Sequence, residues 1–184
     1  MHRKKLIQQL RDYRKAWRNE SITVKRFIDF ILANEGCFER NLEAGHVTGS
    51  AWLVNKKETH VLLTHHRKLN KWLQLGGHAE GDADVLRVAM REVKEESGLE
   101  AIEPVSDRIF DIDIHQIPAR GDEAAHYHYD IRYAMRATGG GGYVVSEESH
   151  DLGWIEIEKF NEFIDEASML RMALKWKAQR NTRV

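Results

Sequence analysis

The stretch GGHAEGDADVLRVAMREVKEESGL, Gly76 to Leu99, decides the fold. It reads as a glycine-containing loop, about four turns of helix and a glycine stop. Asp84 suits the helix start because its side chain can accept free amide hydrogens. Gly98 suits the stop, since glycine best tolerates the left-handed C′ position. Glu92, Glu95 and Glu96 fall within an arc of about 100°, because residues three and four apart are neighbours on a helix. Like charges at that spacing cost roughly a few tenths of a kcal/mol per pair, and an oxygen-preferring divalent cation removes the repulsion. Three carboxylates alone more often make a solvated helix face, so the residues around them must decide.

Gly77, Arg91, Glu92, Val93, Glu95, Glu96, Gly98 and Leu99 resemble the Nudix box: Gly, five residues, Glu, seven residues, then Arg-Glu-aliphatic-any-Glu-Glu-any-Gly-aliphatic. Eight of its nine specified positions fit with the spacing intact, which is far more specific than a short glycine motif. Ala83 departs, standing where the box has its first Glu.

Working outward, the composition sets bounds. A chain of 184 residues suits one domain with appendages. The net charge of −1 provides no global field toward nucleic acid or anionic lipid. Cys37 is the single cysteine, which excludes an intramolecular disulfide and fits a reducing cytoplasm. No apolar run approaches the ~20 residues of a membrane span, and the basic N-terminus lacks the apolar core of a signal peptide. The expectation is a cytoplasmic globular protein with no membrane or nucleic-acid partner; a homodimer stays an option.

Leu6, Leu10, Tyr13 and Trp17 recur at helical spacing among basic residues, predicting a helix over 3–18. A second follows over 23–34, with Val24, Phe27, Ile28, Ile31 and Leu32 on its apolar side and Gly36 as its stop. These form an N-terminal helical extension, 1–45. From His46 the period shortens toward two. Strands are predicted at 47–54, 60–66, 108–115 and 152–157, with pairing that resumes at 143–145. In 126–135, Tyr127, Tyr129, Ile131, Tyr133 and Met135 alternate with His126, His128, Asp130 and Arg132, giving one apolar and one polar face. Helical segments at 159–165 and 168–179 close the chain, with Met169, Leu170, Ala173, Leu174 and Trp176 available for packing. Strands interleaved with one central helix indicate an α/β layered fold. The resemblance makes this a Nudix-like α/β/α sandwich around a mixed β-sheet, with residues 46–184 as the hydrolase domain.

The resemblance also implies chemistry. Nudix proteins typically hydrolyse a nucleoside diphosphate linked to another moiety, with Mg²⁺ or Mn²⁺ bound by the box. By position, Glu92, Glu95 and Glu96 are the side-chain ligands and the Gly77 carbonyl a backbone ligand. Arg91 orients a carboxylate, with a surface ion pair to Glu95 as the alternative. Many members place a further ligand or general base in the loop before the last strand; Glu148 best matches, with Glu147 and Asp151 as alternatives. Ala83 cannot ligate, which puts a secondary metal site in question and leaves Glu80, Asp82 and Asp84 as nearby substitutes. The face carrying His126, His128, Asp130 and Arg132 could line the substrate cleft, face solvent, or hold a transition metal through its two imidazoles. Trp72 could stack on a base or belong to the core.

The leading expectation is therefore a metal-dependent pyrophosphohydrolase acting on an NTP, nucleotide sugar, ADP-ribose or similar small molecule. The alternative is a non-catalytic nucleotide sensor with a degenerate box, favoured by Ala83. An isoprenoid diphosphate isomerase of this fold would need a cysteine near the glycine loop, and Cys37 lies far upstream. The proline and tyrosine that accompany ADP-ribose and dinucleoside-polyphosphate specificity past the box are not cleanly present; that region holds Ile114, His115 and Pro118. The basic first helix is the one hint of an RNA-cap substrate.

Overall fold

The computed structural model describes residues 2–67, 70–121, 124–139, 142–144 and 149–181. Two N-terminal helices, α1 (Arg3–Ala16) and α2 (Ser21–Ala33), precede the strands β1 (Gly45–Val54), β2 (His60–His66), β3 (Lys71–Leu73) and β4 (Leu75–His78). Helix α3 (Val85–Ser97) follows, then β5 (Ile102–Pro104), β6 (Asp111–Ile117), β7 (His126–Ala137) and β8 (Ser149–Glu156). Helices α4 (Phe160–Phe163) and α5 (Ala167–Asn181) are the last elements among the described residues.

The strands form one mixed sheet of order β3-β2-β1-β7-β5, with β4 also on β1, β6 on β7 and β8 on β2. Its centre is the long parallel pair of β1 and β7, in register from Gly45–Tyr127 to Val54–Arg136. Both central strands are covered on both faces. Val47, Ala51 and Leu53 of β1 join Ile131, Tyr133 and Met135 of β7 in a core with Leu6, Leu10, Phe27, Ile31, Val88 and Val93 from α1, α2 and α3. Trp52, Val54 and Ala134, on the opposite side of the pleat, pack with Phe160, Met169, Met172 and Trp176 of α4 and α5. The result is an α/β/α sandwich, and the first helix spends its apolar stripe on the core.

α3 begins and ends where its capping residues require. Asp84 accepts the Arg87 amide, and Gly98 takes the left-handed conformation at φ 67°. Gly49 lets this helix approach, since a Cβ there would stand 2.9 Å from the Val85 carbonyl oxygen.

Several local expectations need correction. Gly76, Gly77 and His78 are not loop but strand, paired antiparallel with Thr48, Gly49 and Ser50 of β1; their backbone groups find partners that composition cannot reveal. Asn34, in extended conformation, rather than Gly36 ends α2. The strand expected at 108–115 runs from Asp111 to Ile117 because its pairing with β7 sets its limits. Tyr143 and Val144 form no strand, and Val145 lies outside the described residues. The helix expected at 159–165 is α4 alone, and Leu174 faces solvent at 69% exposure.

Candidate active site

The carboxylates of α3 meet β4 through an approach that glycine makes possible. A Cβ on Gly77 would stand 2.6 Å from Glu92 Cδ and closer still to Oε2. One residue earlier the Gly76 amide donates to Glu96 Oε1 at 2.7 Å. Arg91 Nη2 donates to Glu92 Oε1 at 2.7 Å and to the His78 carbonyl at 2.8 Å, tying helix to strand. Its Nε stands 3.9 Å from Glu95 Oε1. Arg91 thus positions Glu92 through one shared nitrogen rather than a bidentate fork, with Glu95 a looser partner. The Glu92 side chain is enclosed at 15% exposure, whereas Glu95 projects into solvent at 63%. Glu92 and Glu96 thus each meet β4 while Glu95 stands apart in solvent, and their oxygens are of the donor type a hard divalent cation such as Mg²⁺ or Mn²⁺ takes.

Around Ala83 two of the substitutes, Asp82 and Asp84, are already engaged. Asp82 accepts from Arg87 Nε and Nη2 at 2.8 and 2.7 Å and from the Asp84 amide at 2.8 Å. Asp84 caps α3 and accepts from Lys5 Nζ at 3.0 Å. Glu80 is exposed with φ 50°, and Ala83 itself packs against the core.

The other face of β4 belongs to a polar field built by strand register. Side chains opposite one another on neighbouring strands share a face. His46 lies beside His128, and His128 beside His115. Thr48 lies between His78 and Asp130, with Asp113 beyond. Ser50 lies between Gly76 and Arg132, with Asp111 beyond.

Asp130 and Arg132 are buried, at 1% and 2% exposure. Asp130 accepts from the Thr48 and Ser50 hydroxyls at 3.0 and 2.6 Å, from Gln74 at 3.1 Å and from Arg132 Nε at 2.7 Å. Arg132 Nη1 donates to Asp111 at 3.2 Å and Ser168 at 2.9 Å, and Nη2 stands 3.5 Å from Asp113. Asp111, fully buried, also accepts from Arg171 and from Lys175, and Lys175 reaches Glu20 at 2.6 Å. All three guanidinium nitrogens of Arg132 are therefore held by protein groups. This half of the face is an ion-paired frame between sheet and α5, not a solvent-facing strand.

The histidine half differs. His126 Nε2 lies 3.3 Å from His128 Nε2, and His126 Nδ1 lies 2.9 Å from the Ala124 carbonyl. Burial, then the neighbouring His78 and His126, lowers the His46 pKa to about 4. Burial, then His46 and His78, lowers that of His128 to about 2. For His115 burial opposes the charged form, but the Asp113 hydrogen bond and the Asp130 charge outweigh it and raise the pKa. Trp72 stacks on its cross-strand neighbour His65, with ring centroids 5.1 Å apart and planes at 16°.

Glu148 and Glu147 lie outside the described residues. Asp151 is exposed on β8, opposite His65. Sequence reasoning missed His46, His78, Thr48, Ser50 and Asp111, because each is an ordinary strand residue until the register brings it to its neighbours.

The family profile described as NUDIX domain matches residues 45–175. No curated protein matches at the sequence level. Among solved structures, an Ap4A hydrolase of C. elegans in a binary complex is similar at 19% identity, covering 74% of this chain and 98% of its own, with a TM-score of 0.60. The MutT protein of Methanosarcina mazei Go1 is similar at 19% identity, covering 76% and 97%, with a TM-score of 0.54. A NUDIX-family hydrolase of Clostridium perfringens is similar at 23% identity, covering 73% and 97%, with a TM-score of 0.51. At these identities the likeness establishes the fold.

Proposed function

The chain belongs to the NUDIX domain family, hydrolases of phosphoric anhydrides, and we propose that it is a divalent-cation-dependent pyrophosphohydrolase. Its substrate class is a nucleoside diphosphate linked to another moiety, cleaved by water attack on phosphorus. One observation carries the reading: Glu92 lies against Gly77 and Glu96 accepts the amide of Gly76, so the two carboxylates meet β4 at adjacent residues.

Glu92, Glu95 and Glu96, with the Gly77 carbonyl, form the oxygen donor set. Bound Mg²⁺ or Mn²⁺ would neutralise phosphate charge, polarise a phosphoryl oxygen and acidify a coordinated water. Arg91 keeps Glu92 pointed at the strand, so the donor set is organised before substrate arrives. Glu148 is the proposed general base, taking a proton from the attacking water when within hydrogen-bond reach. The rest of the substrate lies on the polar sheet face, from Trp72 toward His126 and His128, with Asp130 and Arg132 as the buried frame beneath it. Residues 1–45 are an extension whose helices complete the core, and 46–184 are the hydrolase domain.

Ala83 supports a second reading, a nucleotide sensor without turnover, because Asp82 and Asp84 are already engaged. A panel of NTPs, nucleotide sugars, ADP-ribose and dinucleoside polyphosphates with Mg²⁺ or Mn²⁺ separates the two. Phosphorylated products, lost in Glu96→Gln, support the hydrolase. Thermal stabilisation by a nucleotide with no product across the panel supports the sensor, and no turnover by any member sinks the first reading.

A further inference from the structure

We propose that His46, His78 and His128, from three adjacent strands, bind a divalent transition-metal ion of the zinc class, at a site separate from the carboxylates of α3. One ligand atom from each lies within 4.8 Å of the others. Bonds of about 2.0–2.1 Å from nitrogen to a tetrahedral metal require nitrogens about 3.3 Å apart, so each ring need move less than about 1 Å. His126 lies beside this trio without belonging to it. Its Nε2 stands 3.3 Å from His128 Nε2, and its Nδ1 lies against the Ala124 carbonyl.

The independent observation is His46. It is 1% exposed, and neither ring nitrogen has a hydrogen-bond partner. Burying a polar nitrogen without a partner forfeits its hydration with nothing in return, and a metal bond removes one such deficit outright. The rings pack at 4.8 Å for His46 and His128, 4.9 Å for His46 and His78, and 5.1 Å for His78 and His128. Three imidazoles packed this closely on adjacent strands are suited to share one metal ion.

Imidazole nitrogens select zinc, cobalt, nickel or iron over magnesium, which takes oxygen. The two sites therefore sort different metals on opposite faces of β4. A cavity of about 380 Å³ lined by Arg40, Glu43, Ala124 and His126 lies beside the cluster, which it meets at His126. Ligation of His78 would fasten β4 to the central pair of β1 and β7, two residues from Gly76 and next to Gly77. Its physical effect is to hold the strand that the carboxylates grip from the other side. This inference stands whether or not the chain hydrolyses a diphosphate.

The test uses the full chain, stripped with a chelator, dialysed and titrated with ZnCl₂ by calorimetry, and with CoCl₂ by visible absorption. One zinc per chain is expected, bound at least 100-fold more tightly than Mg²⁺, and the cobalt form should show the intense bands of tetrahedral coordination. His78→Ala and His128→Ala should each weaken zinc at least 10-fold. His78 and His128 are both half-buried, so these variants leave the interior His46 in place. Glu92→Gln with Glu96→Gln should leave zinc affinity unchanged. The proposal fails if the wild type binds no stoichiometric zinc, if His78→Ala binds zinc like the wild type, or if the glutamate variant abolishes binding.

Discussion

Substituting Gly77 by alanine isolates the contact on which the catalytic reading depends. The backbone there does not require glycine, since among the described residues the positive-φ glycines are Gly45, Gly81, Gly98 and Gly121. The obstacle is the Glu92 carboxylate, whose Cδ would stand 2.6 Å from the new Cβ. Restoring ordinary carbon contact near 3.5 Å requires a retreat of about 1 Å. A side chain can make that move, so the fold should tolerate the change. The entropy gained by replacing glycine, about 0.4–1 kcal/mol, partly offsets the disturbed Arg91–Glu92 bond. A net change under about 1 kcal/mol corresponds to a melting shift within about 4 °C for a chain of this size.

The function should not tolerate it. A displacement of 1 Å in a positioning group can cost about 100-fold in rate. The assay is kcat on the best diphosphate of the panel, with Mn²⁺ affinity by electron paramagnetic resonance as a readout independent of substrate. Adding Glu92→Asp withdraws the carboxylate by one methylene and relieves the clash. The double variant should therefore bind Mn²⁺ better than the two single losses sum to, with a coupling of about 0.5–3 kcal/mol. Gly76→Ala is the contrast: its Cβ would meet Ser50 Cα and Cβ, both at 2.6 Å, and backbone cannot retract as a side chain can. That variant should lose about 1–3 kcal/mol of stability. Near-wild-type kcat and Mn²⁺ affinity in Gly77→Ala would refute the reasoning, because Glu92 would then have no role that depends on its place beneath β4.

Three further outcomes follow from the buried polar frame and the core. Asp111→Asn leaves Arg132, Arg171 and Lys175 facing a neutral group, and urea unfolding should show a loss of about 3–5 kcal/mol; a loss below 1 kcal/mol would mean the cations find other partners. Asp113 is held at about 2: burial opposes ionisation, but His115, Arg132 and Arg171 outweigh it. Its stabilisation is complete above the ordinary carboxylate value of 3.8 and lost as pH falls toward 2, so Asp113→Asn should flatten the urea midpoint between pH 4 and pH 2.5. Cys37 is fully buried and its thiol is pushed up to about 11. An aromatic disulfide reagent at pH 8 should titrate no thiol in the native chain and one after denaturation; fast native labelling would show that the loop 34–44 opens.

What the sequence determined by itself is the part governed by short-range chemistry. The bounds of α3 follow from two capping residues, Asp84 and Gly98, whose effects act within one turn. The carboxylate face is equally local, because positions 92, 95 and 96 share a helix side whatever the helix packs against. The alternation along β7 likewise put His126 and His128 on one face before any partner was known.

The tertiary structure alone decided what that face touches. β1 and β7 are parallel strands some 80 residues apart in the chain, and only their register sets His46 beside His128 and Thr48 beside Asp130. Antiparallel pairing of β4 with β1 turned an apparent loop into the strand that brings in His78 and lays Gly77 over Glu92. Helix α5 converted Arg132 from a candidate lining of the substrate cleft into the centre of a buried frame, by delivering Ser168, Arg171 and Lys175 to β6 and β7. A slip of one residue in either pairing would send every one of those side chains to the opposite face. Local propensities are indifferent to that slip, and the packing of both cores is not.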